Sequence, residues 1–372
     1  MTEKGAGLFE YVPRMVTPPG STLLETIKAL GMTQAELAQR MGRPIKTVNE
    51  IIKGKAAITL DTALQLERVL GVPAHFWRAR EEQYQQYLLG LKDNTELSAQ
   101  REWLKQIPIT ELVKRGWVVP GASVAERVRA GLEYFGVASV EAWRQVWAAP
   151  DAAYRRSLVF DANPGAVAAW LRKGEIDARV MECERYRRRA FVSALGDIRS
   201  LTLEQPKASV LKAQLLCAQA GVALVFVPEL SKCRASGATR WLNRHKAMIQ
   251  LSLRYKTNDH LWFTFFHEAG HLLHGAQGDT FVDEPDLHAS ADEAELLANQ
   301  FAADTLIPPS QYRTFAESLN RGWVSRDEVF QFARSIGIDP GIVVGRLQHE
   351  GLLAYRCLND LKVHLQWPNE LE

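Results

Sequence analysis

The strongest chemical pattern in the sequence is the stretch FTFFHEAGHLLHG at residues 263–275, which contains His267, Glu268 and His271. In a helix, residues four apart lie about 40° from each other around the axis, so the two imidazoles project from one face and could hold one Zn²⁺ ion. Glu268 lies beside that face, where its carboxylate could take a proton from water activated by the metal. The pattern predicts metal-dependent hydrolysis with Glu268 as the catalytic residue.

The surroundings of this pattern weigh against a coincidental match. Between Leu261 and Leu273 the only charged residue besides the histidines is Glu268, so the rest of the helix is expected to be buried. Burying titratable groups without a partner costs several kcal/mol. The alternative is a core helix whose polar side chains are satisfied by neighbouring protein groups.

A catalytic zinc site needs a third protein ligand, and several downstream residues are candidates. His274 sits too far round the same helix to close a tetrahedral site, which favours a surface role for it. Glu295 is four residues from Asn299, so the two share a helix face, one as ligand and one as hydrogen-bonding support for a ligand histidine. Glu293 is the second choice, its alternative role being a charge at a helix N-terminus. The remaining candidates are Asp292 and His288.

A second chemical pattern lies in two short helices that meet at Gly42. Four apolar residues would face inward between them: Leu37, Ala38, Val48 and Ile51. The second helix then presents polar side chains that can reach base edges in a major groove, while Gln34 is placed to contact phosphate. The predicted DNA-contacting residues are Gln34, Arg43, Lys46, Thr47, Asn49, Glu50, Lys53 and Lys55. The alternative is a helical bundle that only packs.

The bulk composition limits these interpretations. With 372 residues, of which 47% are hydrophobic and 24% charged, the chain is expected to be a soluble protein of more than one domain. The net charge of +2 neither requires nor excludes a nucleic-acid partner. Four cysteines without CxxC spacing argue against a disulfide framework and favour a reducing cytoplasm. We find no signal peptide and no apolar run of about 18 residues, so no membrane span is expected.

Caps and glycines divide the chain into segments. From Ser21 onward, short amphipathic helices such as TQAELAQRMG predict a compact five-helix domain. Stretches rich in β-branched residues appear only after Gly221: GVALVFVPEL, KAMIQLSLRY and, as a third strand, GATRWLN. The predicted fold class is mainly α with a small α+β domain. The expected segments are an N-terminal arm (1–20), a helix-turn-helix domain (21–80), a helical linker or dimerisation region (81–205), a zincin-like domain with a short sheet (206–310) and a C-terminal helical extension (311–372).

A group of arginines in the middle of the chain is a further charged feature. It consists of Arg185, Arg187, Arg188 and Arg189 within the segment CERYRRRAFVSALGDIRSL. We interpret it as the solvated face of a helix, with contact to phosphate as the alternative.

From Gly31 to Trp77 the sequence resembles the Xre/Cro-like helix-turn-helix family, and within it the HigA-type antitoxins of toxin–antitoxin modules. The likeness rests on TQAELAQRMG as scaffold helix, TVNEIIKGK as recognition helix, ITLDTALQLERVLG as fourth helix and PAHFW at the start of the fifth. The resemblance implies a homodimer that binds double-stranded DNA at an inverted-repeat operator. The chain departs from the family at Pro44 and Ile45, where polar residues are commoner, which leaves the operator sequence open.

Residues 210–310 resemble the ImmA/IrrE family of zinc metallopeptidases, with a weaker likeness in the C-terminal helices. The motifs are HExxH followed by a second helix that carries Glu295, Ala298, Asn299, Phe301 and Ala302 and ends near Pro308. In the family the third zinc ligand is a glutamate on this helix, which the resemblance assigns to Glu295. The family often carries a second glutamate two positions before the asparagine, where this chain has Leu297.

Together these patterns predict a DNA-binding transcription regulator fused to a gluzincin-like zinc endopeptidase. The family resemblance suggests a repressor or related regulatory protein as its substrate. The alternative is a HigA-type antitoxin and autorepressor whose peptidase-like domain senses a signal or binds a partner, such as a toxin, without proteolysis. Candidates for stabilising the oxyanion are Arg240, His245 and His288. An exposed edge at GATRWLN could hold an extended peptide by strand addition.

Overall fold

The structure is a computed structural model that describes residues 16–148, 163–275, 291–319 and 324–366. Its fold class is the one that the sequence predicts, mainly helical with one small sheet. The chain divides into two compact units. The first comprises the described residues up to Gln100 with Ser123–Glu126, and the second comprises Arg101–Ala122 and the described residues from Arg127 onward. Within the described ranges, no helix has the length and apolarity that a membrane crossing needs.

The described part of the first unit contains five helices. They are α1 (Pro19–Ala29), α2 (Gln34–Met41), α3 (Ile45–Ile52), α4 (Leu60–Leu70) and α5 (Ala74–Ala99). The Thr33 side chain accepts a hydrogen bond from the Glu36 backbone N–H at 3.1 Å, and Gly42 ends α2 in the left-handed conformation. The predicted inward-facing residues are all buried: Leu37, Ala38, Val48 and Ile51. These caps and contacts form the helix-turn-helix from α2 and α3.

The start of α1 and the end of α5 differ from the sequence expectation, and a proline precedes α3. Helix α1 begins at Pro19, inside the arm expected over residues 1–20, whose residues 1–15 lie outside the described ranges. Pro44 precedes α3 as its N-cap. Helix α5 continues past the expected boundary at residue 80, and just beyond it the buried Glu81 carboxylate accepts a hydrogen bond from the Ile58 backbone N–H at 2.9 Å.

The described part of the second unit consists of helices around a three-stranded sheet. In chain order its elements are α6 (Ile109–Lys114), α7 (Val124–Phe135), α8 (Val140–Trp143), α9 (Pro164–Val180), α10 (Arg188–Ser200), α11 (Pro206–Gln219), β1 (Val222–Phe226), β2 (Gly237–Asn243), β3 (Lys246–Leu251), α12 (Asn258–His274), α13 (Ala291–Leu306), α14 (Pro309–Ser318), α15 (Arg326–Ile336) and α16 (Pro340–His349). The first turn of α7 groups with the first unit.

The sheet has the order β1–β3–β2, with β1 parallel and β2 antiparallel to the central β3. Side chains alternate between its two faces. Leu224 and Ile249 face the core that includes residues of α10, α11 and α12. Gln250 faces the other way, and its amide N–H donates to the Trp170 carbonyl of α9 at 2.8 Å. Strand β2, which has the sequence GATRWLN, lies at an edge of the sheet.

Helix α9 covers the face of the sheet opposite to α12. The Trp170 indole N–H donates to the Val227 carbonyl at 2.9 Å. Gly174 packs so tightly on Gln250 that an added Cβ would lie 1.9 Å from the amide oxygen. The sequence predicted a helical linker or dimerisation region over residues 81–205. Residues 164–180 of that region instead pack on the sheet.

Helices near the C-terminus complete the same core. Ile342, Val343 and Leu347 of α16 are buried in one cluster with Phe265 and Phe266 of α12. The sequence predicted a C-terminal helical extension over residues 311–372. The described residues beyond 310 pack instead as part of the second unit.

Candidate metal centre and DNA-contacting surface

Helix α12 has one apolar side that anchors it in the core and one polar side that displays the two imidazoles. Its buried apolar residues are Leu261, Trp262, Phe265, Phe266, Ala269, Leu272 and Leu273. The side chains of His267 and His271 remain 12% and 25% exposed. The helical period explains the division, because residues four apart share a face.

Three side chains converge on the polar side of α12. The Nε2 atoms of His267 and His271 are 3.0 Å apart. Glu295 of α13 directs one carboxylate oxygen to each ring, at 3.4 Å from His267 Nε2 and 3.2 Å from His271 Nε2. In the described part of the chain, this is the only group of three or more histidine, cysteine or acidic side chains whose ligand atoms all lie within 4.8 Å of one another.

Close contact between α12 and α13 brings Glu295 to the histidines. Gly270 makes this contact possible, because an added Cβ would lie 3.0 Å from the Ala298 Cα. One turn after Glu295, Asn299 places its Oδ1 3.0 Å from Nδ1 of His267. A hydrogen bond at this position fixes the ring and leaves Nε2 directed at the cluster. The sequence indicated the shared face of Glu295 and Asn299 but not the role of Gly270.

Glu268 of α12 is 3% exposed, and its side chain is directed at β2. The Thr239 hydroxyl is 2.8 Å from Glu268 Oε2 and 3.0 Å from the Glu268 main-chain oxygen. Gly237 leaves room for the carboxyl group, since an added Cβ would lie 2.6 Å from Oε1. Sequence reasoning missed both residues. Strand alternation puts them on one face of GATRWLN, but only the tertiary fold determines which face meets α12.

The charges of the cluster depend on one another. Hydrogen bonds with His267 and His271 hold the pKa of the Glu295 carboxyl far below its usual range. Burial by itself would lower the pKa of His267, but Glu295 and Glu268 raise it overall. Burial raises the pKa of Glu268 against the opposing effect of both imidazoles and Thr239.

The donor set suits a zinc ion. Zinc takes imidazole nitrogen and carboxylate oxygen, and its catalytic sites use three protein ligands. The Nε2 atoms of His267 and His271 face each other at 3.0 Å, and two lone pairs at that distance need a proton or a metal cation between them. The Asn299 contact adds the supporting hydrogen bond that ligand histidines usually have.

Two of the other predicted ligands, His274 and Glu293, do not join this cluster. His274 is exposed and packs edge-on against Phe301, with ring centroids 5.6 Å apart. Glu293 is exposed and does not belong to the converging group. His288 and the side chain of Asp292 lie outside the described residues.

Two predicted oxyanion donors have other partners. Arg240 is directed to the opposite face of β2 from Thr239, with its Nη1 3.6 Å from a Glu175 carboxylate oxygen and its guanidinium 5.4 Å from the Trp147 ring centroid. Strand alternation thus turns Arg240 away from the face of β2 that meets Glu268, which weighs against it as a candidate oxyanion donor. His245 lies in the turn between β2 and β3, in contact with Arg185 and Arg244.

The predicted DNA-contacting residues lie in and beside α2 and α3 of the first unit. Three of them are exposed: Lys46, Lys53 and Lys55. Four are half-buried: Gln34, Thr47, Asn49 and Glu50. Lys46 Nζ is 3.8 Å from Glu50 Oε1, one helical turn away. Arg43 differs from the expectation, because its guanidinium bonds to Gln65 at 2.6 Å and pairs with Asp61. Arg43 thus ties the start of α3 to α4 through part of its guanidinium.

Two stretches of the chain match known families. Residues 23–77 match the helix-turn-helix family. Residues 232–347 match peptidase family M78, described as the IrrE N-terminal-like domain. Both matches confirm the resemblances that the sequence motifs indicated. The search of curated proteins gave no match to the chain.

Two solved structures resemble a small part of this chain. An addiction module antidote protein of a HigA family from Coxiella burnetii is 29% identical, with 22% of this chain and 90% of that chain covered and a TM-score of 0.21. A putative antidote protein of a plasmid maintenance system from Nostoc punctiforme PCC 73102 is 24% identical, with 22% of this chain and 88% of that chain covered and a TM-score of 0.21. The family matches alone establish a helix-turn-helix domain of the DNA-binding regulator type joined to a peptidase-family domain.

Proposed function

We propose that this chain, which joins a helix-turn-helix domain to an IrrE-like peptidase-family domain, is a transcription regulator with zinc-dependent endopeptidase activity. The observation that carries the proposal is the convergence of His267, His271 and Glu295 beside the buried Glu268. A DNA-binding domain in the same chain directs the peptidase to regulatory proteins, so the proposed substrate is a repressor or a related regulator. The cytoplasm, where DNA and such regulators meet, is the proposed place of action.

The described side chains divide the chemical roles among them. His267 and His271, through Nε2, and Glu295, through its carboxylate, would hold the zinc ion. When bound, zinc supplies Lewis acidity toward the scissile carbonyl and lowers the pKa of water. The Glu268 carboxylate takes a proton from the attacking water and passes it to the nitrogen of the leaving amine. Thr239 holds that carboxylate in place through its hydroxyl.

The edge strand offers a place for the substrate backbone. Strand β2 pairs only with β3 among the described residues, so its other edge is the one that strand addition would use. Because Thr239 of this strand contacts Glu268, a peptide added along β2 would run beside the general base.

A second candidate function is a HigA-type antitoxin and autorepressor whose peptidase-like domain binds a toxin or senses a signal without proteolysis. One observation favours it. Arg240, which the sequence nominated as an oxyanion donor, is directed to Glu175 and away from Glu268. Arg240 is therefore not placed to stabilise the oxyanion, and an oxyanion donor is usually a large part of the rate enhancement of a peptidase.

The experiment that tests the peptidase proposal combines a zinc measurement with a cleavage assay. The native chain and Glu268→Gln should both bind zinc, whereas His271→Ala should lose it. Only the native chain should cleave its regulatory partner. Zinc bound without any Glu268-dependent cleavage would favour the second candidate, and a native chain that binds no zinc would contradict the proposal.

The DNA-binding half is tested by removing two side chains from α3. We propose that a homodimer binds an inverted-repeat operator and that Lys46→Ala with Glu50→Ala abolishes the preference for that operator over random duplex DNA. A matched control is Lys92→Ala with Glu96→Ala, a pair on α5 with the same spacing and exposed side chains at 3.7 Å. Operator preference that survives the α3 change would mean that α3 is not the reading helix.

A further inference from the structure

A basic surface lies in the second unit at the turn between β2 and β3. It is formed by Arg244 and His245 of that turn and by Arg185 of the segment that precedes α10. The sequence suggested that Arg185 belongs to a solvated helix face. Helix α10 instead begins at Arg188, and Arg185 lies in an irregular segment before it.

Backbone hydrogen bonds fix this segment against the sheet. The Glu184 N–H donates to the Ala218 carbonyl at 2.9 Å, and the Tyr186 N–H donates to the His245 carbonyl at 2.8 Å. The Tyr186 ring also packs edge-on against Trp241 of β2, with centroids 4.8 Å apart. Arg185 is therefore held beside the turn by bonds on both sides of it.

Two guanidinium groups meet at one ring nitrogen. Arg185 Nη2 lies 3.1 Å from His245 Nε2, and Arg244 Nε lies 2.9 Å from the same atom. The pKa of His245 is lowered. Loss of hydration is the larger cause, and the positive charges of Arg185 and Arg244 add to it. A lowered pKa favours the neutral ring, whose single Nε2 lone pair accepts from one of the two guanidinium groups at a time.

Nothing in the described part of the chain neutralises these two cations, since no carboxylate forms an ion pair with Arg185 or Arg244. Other arginines of this unit do have such partners. Arg346 pairs with Glu350 at 2.6 Å, and Arg172 pairs with Glu175 at 3.2 Å. Two like charges held side by side repel each other, and an anion that bridges them removes the repulsion.

We propose that Arg185, Arg244 and His245 form a binding site for a phosphate group. Guanidinium groups match the geometry of phosphate oxygens and bind them with two parallel N–H bonds. Donors that already share one nitrogen stand close enough to bind oxygens of one phosphate. The phosphate belongs either to a small phosphorylated molecule or to the backbone of DNA.

The test compares two charge-matched double variants of the full chain. Arg185→Ala with Arg244→Ala removes the converging pair. Lys207→Ala with Arg313→Ala removes the same charge from two exposed side chains elsewhere in the second unit. Arg244→Ala alone changes one exposed side chain of a turn, so it should leave the fold intact. It should show part of the loss of anion binding that the double variant shows.

Two measurements distinguish the sources of the phosphate. In the first, the melting temperature is followed as pyrophosphate is added at constant ionic strength. The native chain and the control should be stabilised, and the Arg185/Arg244 variant should need about tenfold more pyrophosphate for the same shift in melting temperature.

In the second measurement, binding to a non-operator DNA duplex is measured against salt concentration. If both guanidiniums hold DNA phosphates, the salt slope of the variant should fall by about 2 relative to the control.

Each outcome bears on the proposal. A pyrophosphate effect without a change in salt slope assigns the site to a small phosphorylated ligand, and a reduced salt slope assigns it to DNA. If the Arg185/Arg244 variant behaves as the control does in both measurements, the proposal is overturned. A variant that melts below the control when no anion is present would also contradict it, because the paired cations should repel in the free chain.

Discussion

The Thr239 hydroxyl lies 2.8 Å from a carboxylate oxygen of Glu268, although the two residues are 29 positions apart in the sequence. One belongs to the edge strand β2 and the other to α12, directly after the first histidine of the HExxH motif. A buried carboxyl group that acts as a base needs its orientation fixed, and this hydroxyl is the described side-chain donor that fixes it. The metal-ligand face and the general base are thus held by different elements, α13 for the first and β2 for the second.

Replacing Thr239 should therefore slow catalysis and leave the metal centre unchanged. A hydrogen bond to a charged group contributes about 1.5–3 kcal/mol, so Thr239→Val should lower the Glu268-dependent cleavage rate about 10- to 100-fold. Thr239→Ser keeps the hydroxyl and should retain most of the rate. Zinc content is measured on the same preparations and should not change. A Thr239→Val variant that cleaves at the native rate would show that Glu268 needs no support from β2.

Gly237→Ala should displace the same carboxylate by contact. The new methyl group would lie 2.6 Å from Glu268 Oε1 and 2.7 Å from the Thr264 methyl carbon, so Glu268 has to move. We expect cleavage to fall by more than tenfold while zinc is retained. Gly196→Ala in α10 is the control, because nothing lies within 4 Å of its added Cβ and the change should raise stability by about 0.5–1 kcal/mol. Full activity in Gly237→Ala would contradict the position assigned to Glu268.

Asn299→Ala should weaken zinc binding without removing a ligand. Asn299 Oδ1 lies 3.0 Å from Nδ1 of His267, and loss of such a supporting bond costs about 10- to 100-fold in metal affinity. Affinity is measured by competition with a chelator of known strength. Asn299→Asp keeps an acceptor at this position and should bind zinc more tightly than Asn299→Ala does. Equal affinity in Asn299→Ala and the native chain would mean that the His267 ring is oriented by other contacts.

The pH dependence of stability should report on Asp339, which caps α16 by accepting from the Gly341 N–H at 2.7 Å. Burial raises the pKa of this carboxyl, Asp259 adds to the rise, and hydrogen bonds with Asn258 and Gly341 oppose it. A carboxyl whose pKa is raised in the folded state lowers stability as pH rises from about 4 through the folded pKa.

Asp339→Asn keeps a capping side chain and removes that pH-dependent loss. The variant should therefore gain stability relative to the native chain as pH rises from about 4 through the folded pKa of Asp339. Urea unfolding at several pH values measures the difference. Asp339→Ala, which loses the cap, should be about 1 kcal/mol less stable than Asp339→Asn at every pH. If the free energy of unfolding of the native chain rose relative to that of Asp339→Asn as pH increased, the result would contradict the prediction.

The parts of the candidate site that follow from local helical geometry could be predicted from the sequence. The four-residue spacing of His267 and His271 places both rings on one face of any helix, and the same holds for Glu295 and Asn299. Helix caps such as Thr33 and glycines such as Gly42 gave the boundaries of α2 in the same way. These features depend on residues close in sequence, so they do not require knowledge of the tertiary fold.

The parts that depend on contacts between distant elements could not be predicted. Which face of β2 meets α12 decides that Thr239 supports Glu268 and that Arg240 is directed to Glu175. Helix α9 carries no motif that marks it as a cover for the sheet, and its role is visible only in bonds such as that from Trp170 to Val227. The sequence predicted a phosphate contact for Arg43. Its partners Asp61 and Gln65 lie on α4, and sequence alone did not show that they would be close to it.

The most direct measurement of the central claim is a comparison of new protein N-termini in cells that make the native chain and in cells that make Glu268→Gln. Both chains should bind zinc and accumulate equally, because the substitution leaves His267, His271 and Glu295 in place. We predict that at least one regulatory protein gains an internal N-terminus only with the native chain. Identical sets of N-termini from two zinc-loaded chains would contradict the assignment of this site as a peptidase centre.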